Sequence, residues 1–143
     1  MATRTFIDTN ILIYAEVGDQ PAKKKIALAL LKAHCLDASG VLSTQVLQEY
    51  CNVAIKKLKR SVQHVREQLA FYEQFDVVPM TPSIIRMGLD LHQTKSVSFY
   101  DSLILASAIS AGCSVLLSED MNSGEVVGGL TISNPFQVGQ RQG

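Results

Sequence analysis

The stretch TFIDTNILIYA, at positions 5–15, joins a short apolar strand to a helix through an aspartate. Residues 5–7 have the β-branched and aromatic character of a strand, which ends at Asp8. Residues 10–15 have the apolar character and spacing of a helix. A strand that passes directly into a helix opens a β–α unit, and a series of such units builds a parallel sheet covered by helices.

The same alternation of short strands and longer helices continues along the chain. Strands are predicted at 41–43, 76–78 and 114–117, with a short fifth at 130–132; helices are predicted at 22–36, 44–59, 61–75, 82–93 and 98–110. Right-handed crossovers place helices on both faces of the sheet that these strands form. We therefore predict an α/β sandwich whose mostly parallel sheet has four to five strands. It forms one domain over residues 1–136, followed by a polar tail at 137–143.

The composition is that of an ordinary folded domain. Of the 143 residues 47% are hydrophobic and 18% charged, and the formal net charge is zero, which excludes a disordered chain and a wholly basic nucleic-acid binder. No stretch approaches the roughly 18 consecutive apolar residues of a membrane span, and no secretory signal precedes Asp8. Three widely spaced cysteines indicate reduced thiols. We expect a soluble, cytoplasmic protein.

Four acidic residues stand where an unpaired carboxylate is costly. Asp8 and Asp120 follow the first and fourth predicted strands, and ligands of an open parallel sheet gather at the carboxyl ends of its strands. Glu49 and Asp101 lie on apolar faces of their predicted helices. A carboxylate buried there is unfavourable unless a cation or several donors compensate for its lost hydration. The predicted fold lets all four acids converge on one edge of the sheet.

Each acid also has a purely structural interpretation. Asp8 is placed to cap the helix that follows it, and Asp101 to complete a capping box with Ser98. Asp120 is typical of a turn, and Glu49 of a lysine pair or a side chain that reaches solvent. Their convergence favours a functional site over four separate structural roles.

A cluster of carboxylates without histidine or cysteine has the chemistry of a hard-cation site. Oxygen ligands suit Mg²⁺ or Mn²⁺ better than zinc, and mutual repulsion among the carboxylates favours a divalent cation between them. Such a cation polarises a phosphoryl oxygen and generates hydroxide from water. The pattern therefore indicates metal-dependent phosphodiester hydrolysis.

The segments around the four acids resemble the ordered motifs of PIN-domain nucleases. These segments are FIDTN at 6–10, VLQEY at 46–50, YDSLI at 100–104 and LSEDM at 117–121, and the likeness spans residues 5 to about 134. The chain is also similar in size to VapC-type toxins of toxin–antitoxin pairs. The resemblance implies an α/β/α fold, dependence on Mg²⁺ or Mn²⁺, and endonucleolytic cleavage of single-stranded RNA that leaves 5′-phosphates. It also implies homodimerisation and neutralisation by a cognate antitoxin.

The resemblance assigns roles residue by residue. Asp8 and Asp101 match the principal metal ligands of the family, and Glu49 and Asp120 match its remaining catalytic acids. The supporting polar positions, which orient those carboxylates, are matched by Thr9, Asn10 and Ser118. Glu119 departs from the pattern because it adds an acid beside Asp120, and we expect it to face solvent.

A basic run ends the third predicted helix. It consists of Lys56, Lys57, Lys59 and Arg60, and Lys23–Lys25 form a second basic cluster. Both are candidates for contacts with the phosphates of RNA. Charge runs are also common as solvated helix ends, because cations are favourable near a helix C-terminus.

Other functions stay open at this point. A housekeeping PIN nuclease of RNA processing would carry the same four acids. An aspartyl-phosphate phosphatase would use a strand-end aspartate as nucleophile, but its second acid, two residues on, is replaced here by Asn10. A nuclease-dead module that binds RNA or protein would have no need of the four acids.

Overall fold

Six strands form one twisted layer in the computed structural model, which describes residues 3–137. They are β1 (Thr5–Ile7), β2 (Gly40–Ser43), β3 (Asp76–Val78), β4 (Val115–Leu117), β5 (Val126–Val127) and β6 (Leu130–Ser133). The strand order is β3-β2-β1-β4-β6-β5, and every neighbouring pair is parallel except β5 with β6. The predicted α/β fold with a mostly parallel sheet is confirmed.

The prediction of four to five strands is wrong by one, because β5 was missed. Its two residues are too few to show an alternating pattern. Gly128 and Gly129 form the two-residue connection to β6, with φ of 55° and 81°. Two successive positive φ values are typical of the tight turns that join antiparallel strands. The Gly-Gly pair was therefore the signal for this hairpin.

The helices flank the sheet, and most of them begin after a residue whose side chain caps the helix. They are α1 (Thr9–Tyr14), α2 (Pro21–Leu36), α3 (Thr44–Lys56), α4 (Val62–Tyr72), α5 (Pro82–Thr94) and α6 (Phe99–Ser110). The hydroxyls of Ser43, Ser61 and Ser98 accept hydrogen bonds from the third amides of α3, α4 and α6. Such caps satisfy backbone donors that have no partner within the helix. Gly112, at φ 75°, follows the end of α6 as expected.

The third helix ends at Lys56, three residues earlier than predicted. The amide of Leu58 donates to the Val53 carbonyl, and that of Arg60 to the Ala54 carbonyl at 2.9 Å. Lys59 between them has a φ of 58°. This left-handed residue stops the helix, so part of the basic run lies in a turn rather than on a helix.

The core lies around the two central strands. Phe6 of β1 and Leu116 of β4 are fully buried, and α6 is covered on every side from Ser102 to Ala108. A helix that is buried all round is held rigidly by its packing. Its N-terminal turn therefore has a fixed position relative to the ends of β1 and β4.

No helix within residues 3–137 is both long and apolar enough to cross a membrane. Residues 138–143 of the predicted polar tail lie outside the described residues.

Candidate active site

The carboxylate of Asp8 lies at the junction between β1 and α1. It caps α1, where Oδ1 accepts a 2.7 Å hydrogen bond from the Thr9 amide. Oδ2 accepts a 2.8 Å hydrogen bond from the Ser118 hydroxyl, just beyond the adjacent strand β4. The residue is only 6% exposed. Asp8 thus caps α1 and also belongs to the predicted group of acids.

Burial raises the pKa of Asp8 to about 6, because the charged carboxylate loses hydration there. The hydrogen bonds from Ser118 and Thr9 oppose this rise, and the negative charges of Glu49 and Asp101 add to it. Asp8 is therefore a buried acid surrounded by other acids, and a cation beside it would favour its ionised form.

The carboxylate of Glu49, in the middle of α3, points back to the start of α1. Its Oε1 accepts a 2.6 Å hydrogen bond from the Thr9 hydroxyl, and its Oε2 a 3.3 Å bond from Gln45 Nε2. Gln45 Nε2 also donates to the Tyr100 carbonyl at 3.2 Å. One glutamine thereby connects α3 to the first turn of α6.

Asp101 occupies that first turn of α6, and its amide donates to the Ser98 hydroxyl at 3.1 Å. Burial raises the pKa of its carboxyl group. The Ser98 hydroxyl opposes this rise, and the charges of Asp120 and Glu49 add to it. The negative charges of Glu49 and Asp101 raise the pKa of Asp8, and the negative charges of Glu49 and Asp120 raise the pKa of Asp101. The four predicted acids therefore lie in one region.

Asp120 is the exposed member of the group. Its Oδ2 accepts a 3.0 Å hydrogen bond from Asn10 Nδ2, and its amide donates to Ser118 Oγ at 3.3 Å. Each of the three predicted supporting residues therefore contacts one or more of the predicted acids: Thr9 contacts Asp8 and Glu49, Asn10 contacts Asp120, and Ser118 contacts Asp8 and Asp120.

The donor atoms of this region fit a hard divalent cation. The carboxylates provide only oxygen ligands, and two further buried oxygens, Asn10 Oδ1 and Gln45 Oε1, have no hydrogen-bond partner among the described residues. Within residues 3–137, however, no three acidic, histidine or cysteine side chains converge closely enough to hold an ion as they stand. The carboxylates of Asp8, Glu49 and Asp120 instead accept hydrogen bonds from protein donors.

Glu119 does not face solvent freely, contrary to the expectation from its position in the motif. Its carboxylate accepts a 2.6 Å hydrogen bond from the Tyr14 hydroxyl and forms an ion pair with Lys23. Burial acts to raise the pKa of Glu119, but the hydrogen bonds from Lys23 and Tyr14 outweigh it and hold that pKa below its usual value. The Lys23 ammonium also lies 4.7 Å from the centre of the Tyr14 ring. Glu119 thus pairs with Tyr14 and Lys23 rather than with the residues that contact Asp120.

A cleft of about 510 Å³ opens beside the acids. Its walls include Glu49, Glu119 and Asp120, and Lys57 lines it from the end of α3. Lys56 and Lys59, which are close to Lys57 in the sequence, are exposed to solvent and do not line this cleft. Lys57 is therefore the member of the basic run that the structure brings to the acids.

Arg60 is held elsewhere. Its guanidinium donates to the Glu16 carbonyl at 2.7 Å and pairs with the Glu16 carboxylate at 3.4 Å. The same carboxylate accepts from the Tyr50 hydroxyl and lies 2.6 Å from His64 Nε2. Arg60 thus joins the turn after α3 to the end of α1, and it is not among the residues that line the cleft.

The α/β domain that carries these acids matches a known protein family. The PIN domain model matches residues 5–126, which is most of the chain. The chain belongs to the PIN domain family. No curated protein sequence matches it.

Solved structures with the same fold as this PIN domain are distant in sequence. A toxin–antitoxin complex from Klebsiella pneumoniae has a TM-score of 0.66 at 22% identity, covering 92% of this chain and 97% of that one. VapC20 of Mycobacterium tuberculosis, described as a sarcin-ricin loop cleaving toxin, has a TM-score of 0.65 at 17% identity, covering 81% and 89%. VapBC2 of Rickettsia felis, bound to a promoter DNA fragment, has a TM-score of 0.64 at 18% identity, covering 91% and 97%.

Gln45 is the residue of this site that the sequence analysis missed. It is 7% exposed and lies one helical turn before Glu49. That i, i+4 spacing on a buried helix face was the available signal, because residues four apart on a helix are neighbours.

Proposed function

We propose that this PIN domain is a divalent-metal-dependent endoribonuclease that cleaves single-stranded or loop RNA, and that it is the toxin of a type II toxin–antitoxin pair. The observation that supports the nuclease most strongly is that buried Asp8 shares one region with Glu49, Asp101 and Asp120. Such an acid cluster destabilises a fold unless a cation uses it.

Asp8 and Asp101 are the proposed ligands of Mg²⁺ or Mn²⁺, and Glu49 and Asp120 are proposed to complete the site. When bound, the metal supplies a polarised phosphate oxygen and an activated water. With a pKa of about 6, Asp8 is mostly ionised at neutral pH, and a bound cation would favour its ionised form further.

The polar residues around the acids keep the carboxylates in place. Thr9 orients Glu49, Asn10 orients Asp120, and the Ser118 hydroxyl favours the ionised form of Asp8 by hydrogen bonding to it. Groups of this kind commonly contribute about ten- to a hundredfold to metal affinity or activity. Lys57 is proposed to draw the phosphate backbone of RNA to the acid-lined cleft.

The toxin role rests on the similarity to toxin–antitoxin proteins. Two of the similar structures are toxin–antitoxin assemblies, and a third is a toxin described as cleaving the sarcin-ricin loop. The proposal therefore includes a cognate antitoxin as partner and a homodimer as the assembly. Its test is induction of the chain in bacteria, alone and together with any small protein encoded by an adjacent gene. Growth arrest that such a protein relieves supports the pair, and unimpaired growth contradicts it.

The nuclease is tested with purified wild-type protein, Asp8→Asn and the matched control Asp90→Asn. Asp90 is an exposed acid on α5. Each protein is titrated with Mn²⁺ and Mg²⁺ and incubated with a structured RNA pool, and the 5′ ends of the products are mapped. We expect metal-dependent cuts with 5′-phosphates from the wild type and from Asp90→Asn, and none from Asp8→Asn. Equal cleavage by a folded Asp8→Asn protein would contradict the proposal.

A further inference from the structure

A large aromatic side chain lies exposed immediately beside the acid cluster. Tyr100 is 64% exposed and directly precedes Asp101 in the first turn of α6. Its position in the chain places it next to a proposed metal ligand. An exposed tyrosine in that place offers a large apolar face to any molecule that reaches the acids.

The backbone of Tyr100 is tied to the site by a buried glutamine. Gln45 Nε2 donates to both Tyr100 O and Glu49 Oε2, at 3.2 and 3.3 Å. The reverse orientation of this amide would face its oxygen towards a carboxylate and a carbonyl, so the two acceptors determine which way it points. Tyr100 and Glu49 are thereby held at a fixed separation.

This orientation leaves Gln45 Oε1 buried without a hydrogen-bond partner among residues 3–137. An unpaired buried acceptor is unfavourable, and the residue is 7% exposed. The Gln45 amide is therefore held in this orientation by its two donor bonds alone, and its oxygen is enclosed by the protein.

The ring of Tyr100 packs against one neighbouring ring, and that ring packs against a second one. Its centre lies 5.6 Å from that of Phe99, at an angle of 66°. The Phe99 ring in turn lies 6.3 Å from that of His92, whose Nδ1 is 2.9 Å from the Val97 carbonyl. The exposed ring is therefore held in place, which lowers the entropy lost when a ligand stacks on it.

We propose that Tyr100 is a stacking platform for an unpaired nucleobase next to the scissile phosphate. This inference rests on the proposed function, because it assumes that RNA occupies the acid-lined cleft. Aromatic side chains stack on bases of any identity, and a base inside a duplex has no free face to offer. The substrate class is thus RNA with an unpaired base at the cleavage site, selected by stacking rather than by base sequence.

The test measures binding of an end-labelled single-stranded RNA by fluorescence anisotropy. The protein carries Asp8→Asn so that the RNA stays intact, and Mg²⁺ is present. Tyr100→Ala removes the ring, Tyr100→Leu keeps an apolar side chain without an aromatic face, and Tyr100→Phe keeps the ring. Val126→Ala is the control, since Val126 is 60% exposed at the far edge of the sheet, on β5.

We expect the alanine and leucine variants to raise the dissociation constant by about five- to a hundredfold, and the phenylalanine and valine-to-alanine variants to leave it almost unchanged. The slope of the logarithm of the binding constant against the logarithm of salt concentration should be the same for all variants, because a stacked base releases no counterions. The penalty should disappear on duplex RNA.

The stacking role is overturned if Tyr100→Ala binds single-stranded RNA as tightly as the parent protein does. It is also overturned if Tyr100→Phe loses as much RNA affinity as Tyr100→Ala. Cleavage assays of the same variants with an intact Asp8 separate the two proposals. Metal-dependent cleavage that Tyr100→Ala leaves unaltered refutes the platform and keeps the nuclease. Absence of metal-dependent cleavage by the wild type refutes both.

Discussion

Thr9 bridges two of the four acids, because its amide donates to Asp8 Oδ1 at 2.7 Å and its hydroxyl to Glu49 Oε1 at 2.6 Å. The first residue of α1 thus links the carboxylate at the end of β1 to the carboxylate of α3. Only the hydroxyl bond depends on the side chain, so it can be removed without affecting the cap of α1.

Thr9→Val should lower Mn²⁺ affinity and cleavage by about ten- to a hundredfold, because Glu49 loses the donor that orients it. Isothermal titration and initial cleavage rates measure the two effects. Thr9→Ser keeps the hydroxyl and should stay within a few-fold of the wild type. Equal losses in both variants would contradict this explanation, because Thr9→Ser keeps the hydroxyl that donates to Glu49.

Asp8→Asn should stabilise the metal-free protein at neutral pH. The pKa of Asp8 is about 6 in the folded protein against 3.8 for an ordinary aspartate, so the unfolded chain ionises first and wild-type stability falls as the pH rises from about 4 to 6. At pH 7.5 the ionisation of buried Asp8 lowers the free energy of unfolding of the wild type by about 2–3 kcal/mol, and the substitution removes this loss.

Urea unfolding in the presence of a chelator measures this difference. The gain of Asp8→Asn over the wild type should be near zero at pH 4 and reach its full size at pH 7.5, and added Mg²⁺ should reduce it by stabilising the wild type. A gain of the same size at both pH values would mean that the charge of Asp8 is not its origin.

Ser118→Ala should make metal binding more sensitive to acid. The Ser118 hydroxyl is buried and donates to Asp8 Oδ2, which lowers the pKa of that carboxyl group. Without this bond the pKa rises further, so more Asp8 is protonated near pH 6. Mn²⁺ affinity of the variant should fall more at pH 6 than at pH 8, and a loss independent of pH would refute this explanation.

Glu119→Gln and Asp120→Asn should have different consequences, although the residues are neighbours. Asp120 accepts a hydrogen bond from Asn10, whereas Glu119 pairs with Lys23 and Tyr14. Asp120→Asn should reduce metal-dependent cleavage at least tenfold, by rough analogy with other ligand-supporting groups. Glu119→Gln should retain cleavage and bind RNA with a steeper salt dependence, because it frees the Lys23 ammonium.

Lys57→Glu should weaken RNA binding and reduce the salt slope by about one or more, as expected for loss of a phosphate contact. Arg86→Glu is the matched charge reversal on the exposed face of α5, away from the residues that line the cleft. Anisotropy titrations over a range of salt concentrations compare the two. Equal slopes would exclude Lys57 from the interface.

The sequence alone was enough to predict the strand ends and therefore the position of the acids. Asp8 and Asp120 follow strands whose apolar residues are visible in the sequence, and parallel strands bring their carboxyl ends to one edge. Glu49 and Asp101 were identifiable because a carboxylate interrupts an apolar helix face. Each of these signals is contained in a short segment of sequence and does not depend on which distant residues that segment meets in the fold.

Pairings between distant polar side chains had no such local signal. Glu119 looked like a solvent-facing residue because nothing near it in the sequence indicates Lys23 or Tyr14 as partners. Arg60 looked like part of a basic run, and its partner Glu16 lies 44 residues earlier in the chain. Which of several nearby cations meets a given acid depends on tertiary packing, which the sequence pattern does not specify.

The order of strands in the sheet also sets when the acid pocket comes into existence during translation. β1 lies between β2 and β4, so a nascent chain that ends after β3 still has β1 as an open edge. That chain contains Asp8 and Glu49 but neither Asp101 nor Asp120. The four acids cannot come together until α6 and β4 have left the ribosome, so the proposed nuclease would lack its complete acid set for most of its own synthesis.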